Sequence, residues 1–373
     1  MRKFSLLLLA VLGISAMACD DDEKYRRDWG DWGDWAKGVS YGGEPRTAAV
    51  SFVINNVAYV GLGCGASNVE FKNFYKFENG SWSLSTTLPD KRVNGDTVQG
   101  RHGAVAFVIG NCAYVGTGYV AAYNNISHGI KREKEYLKDF YKFDVTTGAW
   151  TQLPDFPGKG RRDAVAFSIG GYGYVGTGWG YGDGNAAEMP YKDFYRYDPN
   201  TNTWQEITYD GAARYGATAF VIDGAAHVCL GQETNSVYAT DHYKFIPGTN
   251  GDGTWVKMQS LIDKPRNRQD AFYARIQRDH AVSFIARNNE EEGEYAYVAT
   301  GRNQYTWWYD HKRDLWHEVE DLASLAPNVR QAVAFSIDGV GYFTTGGTSH
   351  DDVPTAQTWY FIPNVKENRG NDY

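Results

Sequence analysis

Residues 161–178 read RRDAVAFSIGGYGYVGTG, and residues 101–118 read RHGAVAFVIGNCAYVGTG. Each stretch opens on Arg and runs through a short strand of small and apolar residues. A turn follows, then a second strand that ends on Gly-Thr-Gly. The same unit recurs at strand starts 48–52, 103–107, 163–167, 216–220, 280–284 and 331–335. Turns such as Asn55-Asn56 and Asp223-Gly224 suit a tight hairpin. The second strands end at Gly63, Gly118, Gly178, Gly231, Gly301 and Gly346. After a variable loop comes an aromatic strand, as in Phe74-Tyr75-Lys76-Phe77 or Phe140-Tyr141-Lys142-Phe143. Five units then close on a Trp, at 82, 150, 204, 255 and 316.

The glycine-to-glycine spacings of 55, 60, 53, 70 and 45 residues leave room for four short strands per unit. One such sheet cannot bury both of its faces, whereas sheets stacked around an axis can. Ala, Gly, Ser and Val in each first strand fit the crowded axis, and Phe, Tyr and Trp fill the wider outer strands. The expected fold is therefore all-β, a six-bladed β-propeller over residues 35–363. The sixth unit stops at Trp359-Tyr360-Phe361-Ile362 without a closing Trp. Trp35 stands eleven residues before Arg46, much as Trp204 stands ten before Arg214, so an N-terminal strand is expected to complete the last blade. That closure would leave no open sheet edge.

Composition agrees with this reading. The chain has 373 residues, of which 42% are hydrophobic and 15% aromatic, with 42 Gly and 27 Tyr. Wholesale disorder is excluded, and short strands with tight turns are favoured. The formal net charge of -8 argues against general affinity for nucleic acid.

The N-terminus reads as an address. Arg2 and Lys3 precede an apolar run over residues 4–14 that is too short to span a bilayer stably. Ala16-Met17-Ala18-Cys19 follows. Residues 1–18 are expected to be a signal peptide, with Cys19 lipidated and residues 19–34 forming a tether. Asp20-Asp21-Asp22-Glu23 resembles the surface-export signal of lipoproteins in Bacteroidota. This implies an outer-membrane lipoprotein at the cell surface, held to the membrane through an N-terminal lipid only. Cleavage after Ala18 without lipidation would give a periplasmic or secreted protein. Residues 364–373 are read as a C-terminal tail. Cys64, Cys112 and Cys229 form no disulfide framework and no paired zinc spacing, and no metal or cofactor is expected.

The glycine-ended second strand, the Tyr/Phe-rich third strand ending in Asp and the spaced Trp resemble the kelch-repeat family. Propellers host many activities, so that likeness fixes little about function. An Arg stands at or beside each first-strand start: Arg46, Arg101, Arg161, Arg214 and Arg278, with Arg330 shifted by one and Arg162 doubling the third. Sixfold repetition is expected to set these guanidiniums around the channel mouth, where they would bind an anion bidentately. Structural pairing with Asp139, Asp163, Asp193, Asp241 or Asp279 is the alternative. Tyr119, Trp179 and Tyr181 lie in the long loops of the same face and could stack on a sugar or a peptide. His102 and His280 begin first strands on the same face and count among its ligand-binding candidates; as for metal, they are read as hydrogen-bonded or solvated, since nothing supplies the Cys–Tyr pair of kelch-like galactose oxidase.

The chain also resembles secreted N-acetylneuraminate epimerases. These carry a loop Glu after a second strand, and an Arg six residues later just ahead of a Thr-Asp. Here Thr240-Asp241 and Glu233 match, while Ala239 holds the Arg position. The resemblance implies Glu233 as a general base for opening a sugar ring. The first functional expectation is binding of an acidic glycan or peptide at an Arg-lined mouth. Sugar epimerase or mutarotase activity is the second, and a structural interaction scaffold the third.

Overall fold

The computed structural model describes residues 32–125, 130–185, 187–262, 273–288, 293–301, 303–319, 321–322, 328–348 and 353–366. The signal segment, Cys19 and all of the tether before Trp32 lie outside these residues. Six four-stranded antiparallel sheets make up the body. In blade one the order from the axis outward is Val50–Ile54, Val57–Gly61, Asn73–Glu78 and Ser81–Thr87. The inner strands of the next five blades are Val105–Ile109, Val165–Ile169, Thr218–Ile222, Val282–Asn288 and Val333–Ile337. The protein is a six-bladed β-propeller.

The repeat sequence explains the packing. The inner Phe of each blade stacks almost flat on an aromatic of the second strand, Phe52 on Tyr59 at 13° and Phe107 on Tyr114 at 5°. The outer-strand Trp then packs against an inner-strand or third-strand Phe of the preceding blade. Trp150 meets Phe74, Trp204 meets Phe107, Trp255 meets Phe167 and Trp316 meets Phe220. Trp82 meets Phe335 of blade six and so carries the pattern across the closure. On the axial side, Ala, Val, Ser and Thr line a channel of about 260 Å³. Larger side chains could not converge there six at a time.

Blade four departs in one detail. His227 takes the place of the second-strand Tyr, stacks on Phe220 at 8°, and bonds its Nδ1 to His242 Nε2 at 2.9 Å. Burial pushes both imidazoles down, His227 to about 2 and His242 to about 3, so the pair is neutral.

Ring closure follows the sequence expectation. Trp32–Lys37 pairs antiparallel with Thr358–Lys366 as the outermost strand of blade six, with Trp35 opposite Phe361. Both segments exceed the expected boundaries, since the sheet takes in Trp32, Gly33 and Asp34 and runs past residue 363. Trp35 is 1% exposed. Its indole Nε1 donates to Thr306 Oγ1 of blade five at 3.0 Å, and its ring contacts Phe284, Phe343 and Phe361. One side chain thus closes its own blade and bolts it to the neighbour. Trp35→Ala is expected to cost about 3–5 kcal/mol, as for other large core truncations. Denaturant titration checks this, and an unchanged midpoint would mean that the ring closes without this contact.

Candidate functional site at the channel mouth

Each inner strand is preceded by one residue in the left-handed region. These are Ala48, Gly103, Asp163, Gly216, His280 and Gln331, with φ between 50° and 62°. Their peptide groups bond from blade to blade around the axis. Gly103 N donates to Ala48 O, Asp163 N to Gly103 O, Gly216 N to Asp163 O, His280 N to Gly216 O, and Ala48 N to Gln331 O, all at 2.8–2.9 Å. The residue just before each becomes the rim of the channel: Thr47, His102, Arg162, Tyr215, Asp279 and Arg330. Five of these rim residues pair with a residue following the second strand, as in His102 with Tyr119, Arg162 with Trp179, Tyr215 with Gln232 and Arg330 with Gly347.

The repeat arginines sit one place earlier, and the structure corrects their expected position. Arg46, Arg101, Arg161, Arg214 and Arg278 are 0–1% exposed and do not line the mouth. Each donates Nη1 to the carbonyl of a left-handed residue in its own blade: Leu62, Thr117, Thr177, Leu230 or Thr300. Asp139 takes both Nη atoms of Arg101, at 2.5 and 3.0 Å, and Asp193 takes those of Arg161 at 2.6 and 2.7 Å. Asp241 pairs with Arg214. Arg46 reaches Glu44 and Asn73, while Arg278 also bonds the carbonyls of Arg275, Ile276 and Tyr305. The physical reason is local. The left-handed turn leaves a buried carbonyl that needs a donor, and a long guanidinium stem reaches it. Blade six has Val329 in this place, shown by the Gly301 N to Val329 O bond that matches Gly63 N to Arg101 O. Arg330 therefore belongs to the rim.

Burial alone would raise the Asp139 carboxyl, but Arg101, with Arg92 beyond it, holds it below the usual carboxylate range. Arg101→Ala would leave that buried carboxylate to Arg92 at 3.1 Å and the Tyr141 hydroxyl at 2.9 Å, and is expected to cost about 3 kcal/mol, the low end for breaking a buried pair. The Arg101→Ala, Asp139→Ala double variant should lose less than the sum of the two single losses, measured as a double-mutant cycle in denaturant.

Charge and aromatic surface meet at the true rim. The Arg162 side chain is 29% exposed, lies 3.4 Å from the Asp163 carboxylate, and sets its guanidinium 5.4 Å over the Tyr119 ring. Asp163 also faces His280 Nε2 at 3.4 Å, and His280 Nδ1 lies 3.6 Å from Asp279. Burial opposes charging of that imidazole, but the two carboxylates win and lift it to about 9, so His280 is a cation at neutral pH. His102 packs edge-on to Tyr119, whose ring is 4.8 Å from Tyr136. Tyr136 in turn meets Tyr181 at 5.1 Å, and Trp179 meets Tyr215 at 4.8 Å. Tyr136 and Tyr181 also line a cleft of about 720 Å³ between blades two and three, together with Arg92, Lys138 and Lys159. Tyr136 and Tyr215 were not singled out from the sequence. Tyr215 follows its repeat Arg just as His102 and Arg162 follow theirs, and that spacing was the available signal.

Glu233 lies half-buried at the start of a short 3-10 turn, Thr234–Ser236, with its amide bonded to Val237 O at 2.7 Å. It directly follows rim-paired Gln232, and Arg214 pairs with Asp241 rather than with Glu233. Ala239 is fully buried.

Fold and rim together define a kelch-type six-bladed β-propeller with a polar, aromatic channel mouth. No family model matches the chain. It is similar to N-acetylneuraminate epimerase of Yersinia pestis (strain Pestoides F), at 33% identity over 132 residues, 35% of this chain and 33% of that protein. Another similar protein is N-acetylneuraminate epimerase of Pasteurella multocida (strain Pm70), at 24% identity over 210 residues, 56% of this chain and 50% of that protein. The chain thus spans about a third to a half of the length of these curated relatives. The solved structure described as "Structure of YjhT" superposes with a TM-score of 0.61 at 14% identity, over 86% of this chain and 95% of that one. That likeness concerns the fold.

Proposed function

We propose that the propeller binds an acidic sugar of the N-acetylneuraminate type at its channel mouth. Arg162 is the observation that carries this reading: it is a partly exposed guanidinium set over Tyr119 and beside Trp179. A guanidinium pairs a sugar carboxylate bidentately, and Tyr119, Tyr136, Tyr181 and Trp179 offer faces for the apolar side of a pyranose. His280 is already matched by Asp163 and Asp279, and Arg330 stands on the same rim as Arg162. The named relatives support the choice of sugar. The five buried repeat arginines act as framework in this reading, without touching ligand.

Epimerase activity is the second reading, favoured by the relatives' names and by Glu233 beside the rim. Interconverting anomers requires a base at the anomeric hydroxyl, cleavage of the ring C–O bond with a proton delivered to the ring oxygen, and reclosure on the other face. Glu233 is the candidate base. With Ala239 in the Arg position, Arg162 or Arg330 would have to hold the carboxylate.

Calorimetric titration with N-acetylneuraminate tests both readings. Arg162→Ala should weaken binding roughly 10- to 100-fold, the loss of one or two charge-assisted bonds, and unchanged affinity would remove Arg162 from the site. Glu233→Gln should keep the sugar bound. If the protein is an epimerase, that variant also loses the acceleration of anomer exchange seen by NMR in the parent protein. Absence of exchange in the parent leaves the binder.

We further propose that the mature chain begins at lipidated Cys19 and stands on the outer-membrane surface. Intact mass of membrane-extracted protein should show a lipid-modified Cys19. A soluble product with an unmodified N-terminal Cys19 would overturn the anchor.

A further inference from the structure

Cys64, Glu70 and His102 come from three separate points of the chain and meet at the rim between blades one and two. Cys64 Sγ, a Glu70 carboxylate oxygen and a His102 ring nitrogen all lie within 4.8 Å of one another. We propose that these three side chains form a binding site for a divalent transition metal, with zinc the best fit. The proposal does not rest on the acidic-sugar reading.

Three observations point to a cation rather than to ordinary pairing. First, His102 Nδ1 is buried and makes no hydrogen bond among the described residues. It lies 3.6 Å from Glu70 Oε1, beyond the roughly 2.7–3.2 Å of a hydrogen bond. Two ligand atoms on one tetrahedral zinc, each at about 2.0–2.2 Å, stand some 3.3–3.6 Å apart. Second, the carboxylate is already aimed. The Glu70 side chain is 0% exposed, and its Oε1 accepts the Ala121 amide at 2.7 Å, the kind of support that orients metal ligands. The backbone fixes Cys64 as well, through bridges to Thr47 on one side and Glu70 on the other. Third, the charges close. A thiolate and a carboxylate neutralise a divalent ion, and the neutral imidazole completes the set, so the occupied site holds no uncompensated charge in a mostly buried position. On binding, the Cys64 thiol releases its proton to solvent.

Thiolate with imidazole selects zinc or cobalt over magnesium or calcium. Three protein ligands leave a fourth tetrahedral position for water or a ligand oxygen. The site stands beside Tyr119, through the contact of its ring with His102.

The test uses cobalt(II) as the probe on the full mature chain. The expected result is one-to-one binding with a thiolate-to-cobalt charge-transfer band and tetrahedral d–d bands. Zinc should displace the cobalt and protect Cys64, but not Cys112, from alkylation as mapped by mass spectrometry. Cys64→Ser and His102→Ala should each weaken cobalt at least roughly 100-fold, while Cys112→Ser leaves it unchanged. Absence of the charge-transfer band in the parent protein overturns the proposal. So does a band that survives in Cys64→Ser, which would report an adventitious site. Should a variant fail to fold, the parent spectrum and the alkylation map still decide.

Discussion

A belt of five peptide hydrogen bonds running from blade to blade around the axis sets the terms for everything else in this propeller. Ala48, Gly103, Asp163, Gly216, His280 and Gln331 each hand the chain from one blade to contact with the next, and each must turn left-handed to do so. For residues other than Gly that conformation costs on the order of 1 kcal/mol. Six stacked sheets hold it in place, because any relaxation would pull an inner strand out of register with the sheet beside it. The break also separates two regimes along the first strand. Below it the side chains are small and line a tight channel, and above it they are free to be large and polar.

The buried arginines follow from the same break. Matching left-handed residues after the second strands, such as Thr117 and Thr177, present carbonyls in places where water has no access. A guanidinium with five donors satisfies that carbonyl and an acidic residue ahead of the third strand together. Arg101 with Asp139 and Arg161 with Asp193 are thus posts between strands of one blade. Among the described residues Arg278 does the same with carbonyls, and Val329 takes the place of the Arg in blade six.

Both proposed sites use residues the framework leaves over. His102, Arg162, Tyr215, Asp279 and Arg330 differ from one another because no repeat constraint acts on them. The aromatic arc from His102 through Tyr119, Tyr136 and Tyr181 adds the loops of blades two and three. The proposed acidic sugar would meet Arg162 and this arc, and the proposed metal the corner made by Cys64, Glu70 and His102. The two sites are neighbours on one rim, joined through Tyr119.

The sequence by itself determined the number of blades, their strand order and the closure at Trp35. Those features are written in periodic residues whose spacing is independent of how the blades meet. It also supplied Asp139, Asp193 and Asp241 as candidate partners for the repeat arginines, but neither which pairs form nor their burial. Whether a repeated Arg faces a channel or a strand interior turns on one left-handed residue, and Asp163 or His280 in that place carries no sequence mark of positive φ. Only the tertiary structure moved the mouth one residue along, from Arg101 to His102 and from Arg161 to Arg162. It alone brought Cys64, Glu70 and His102 together, because ligands drawn from two blades leave no motif in the chain; their geometry exists only once blade two has docked on blade one.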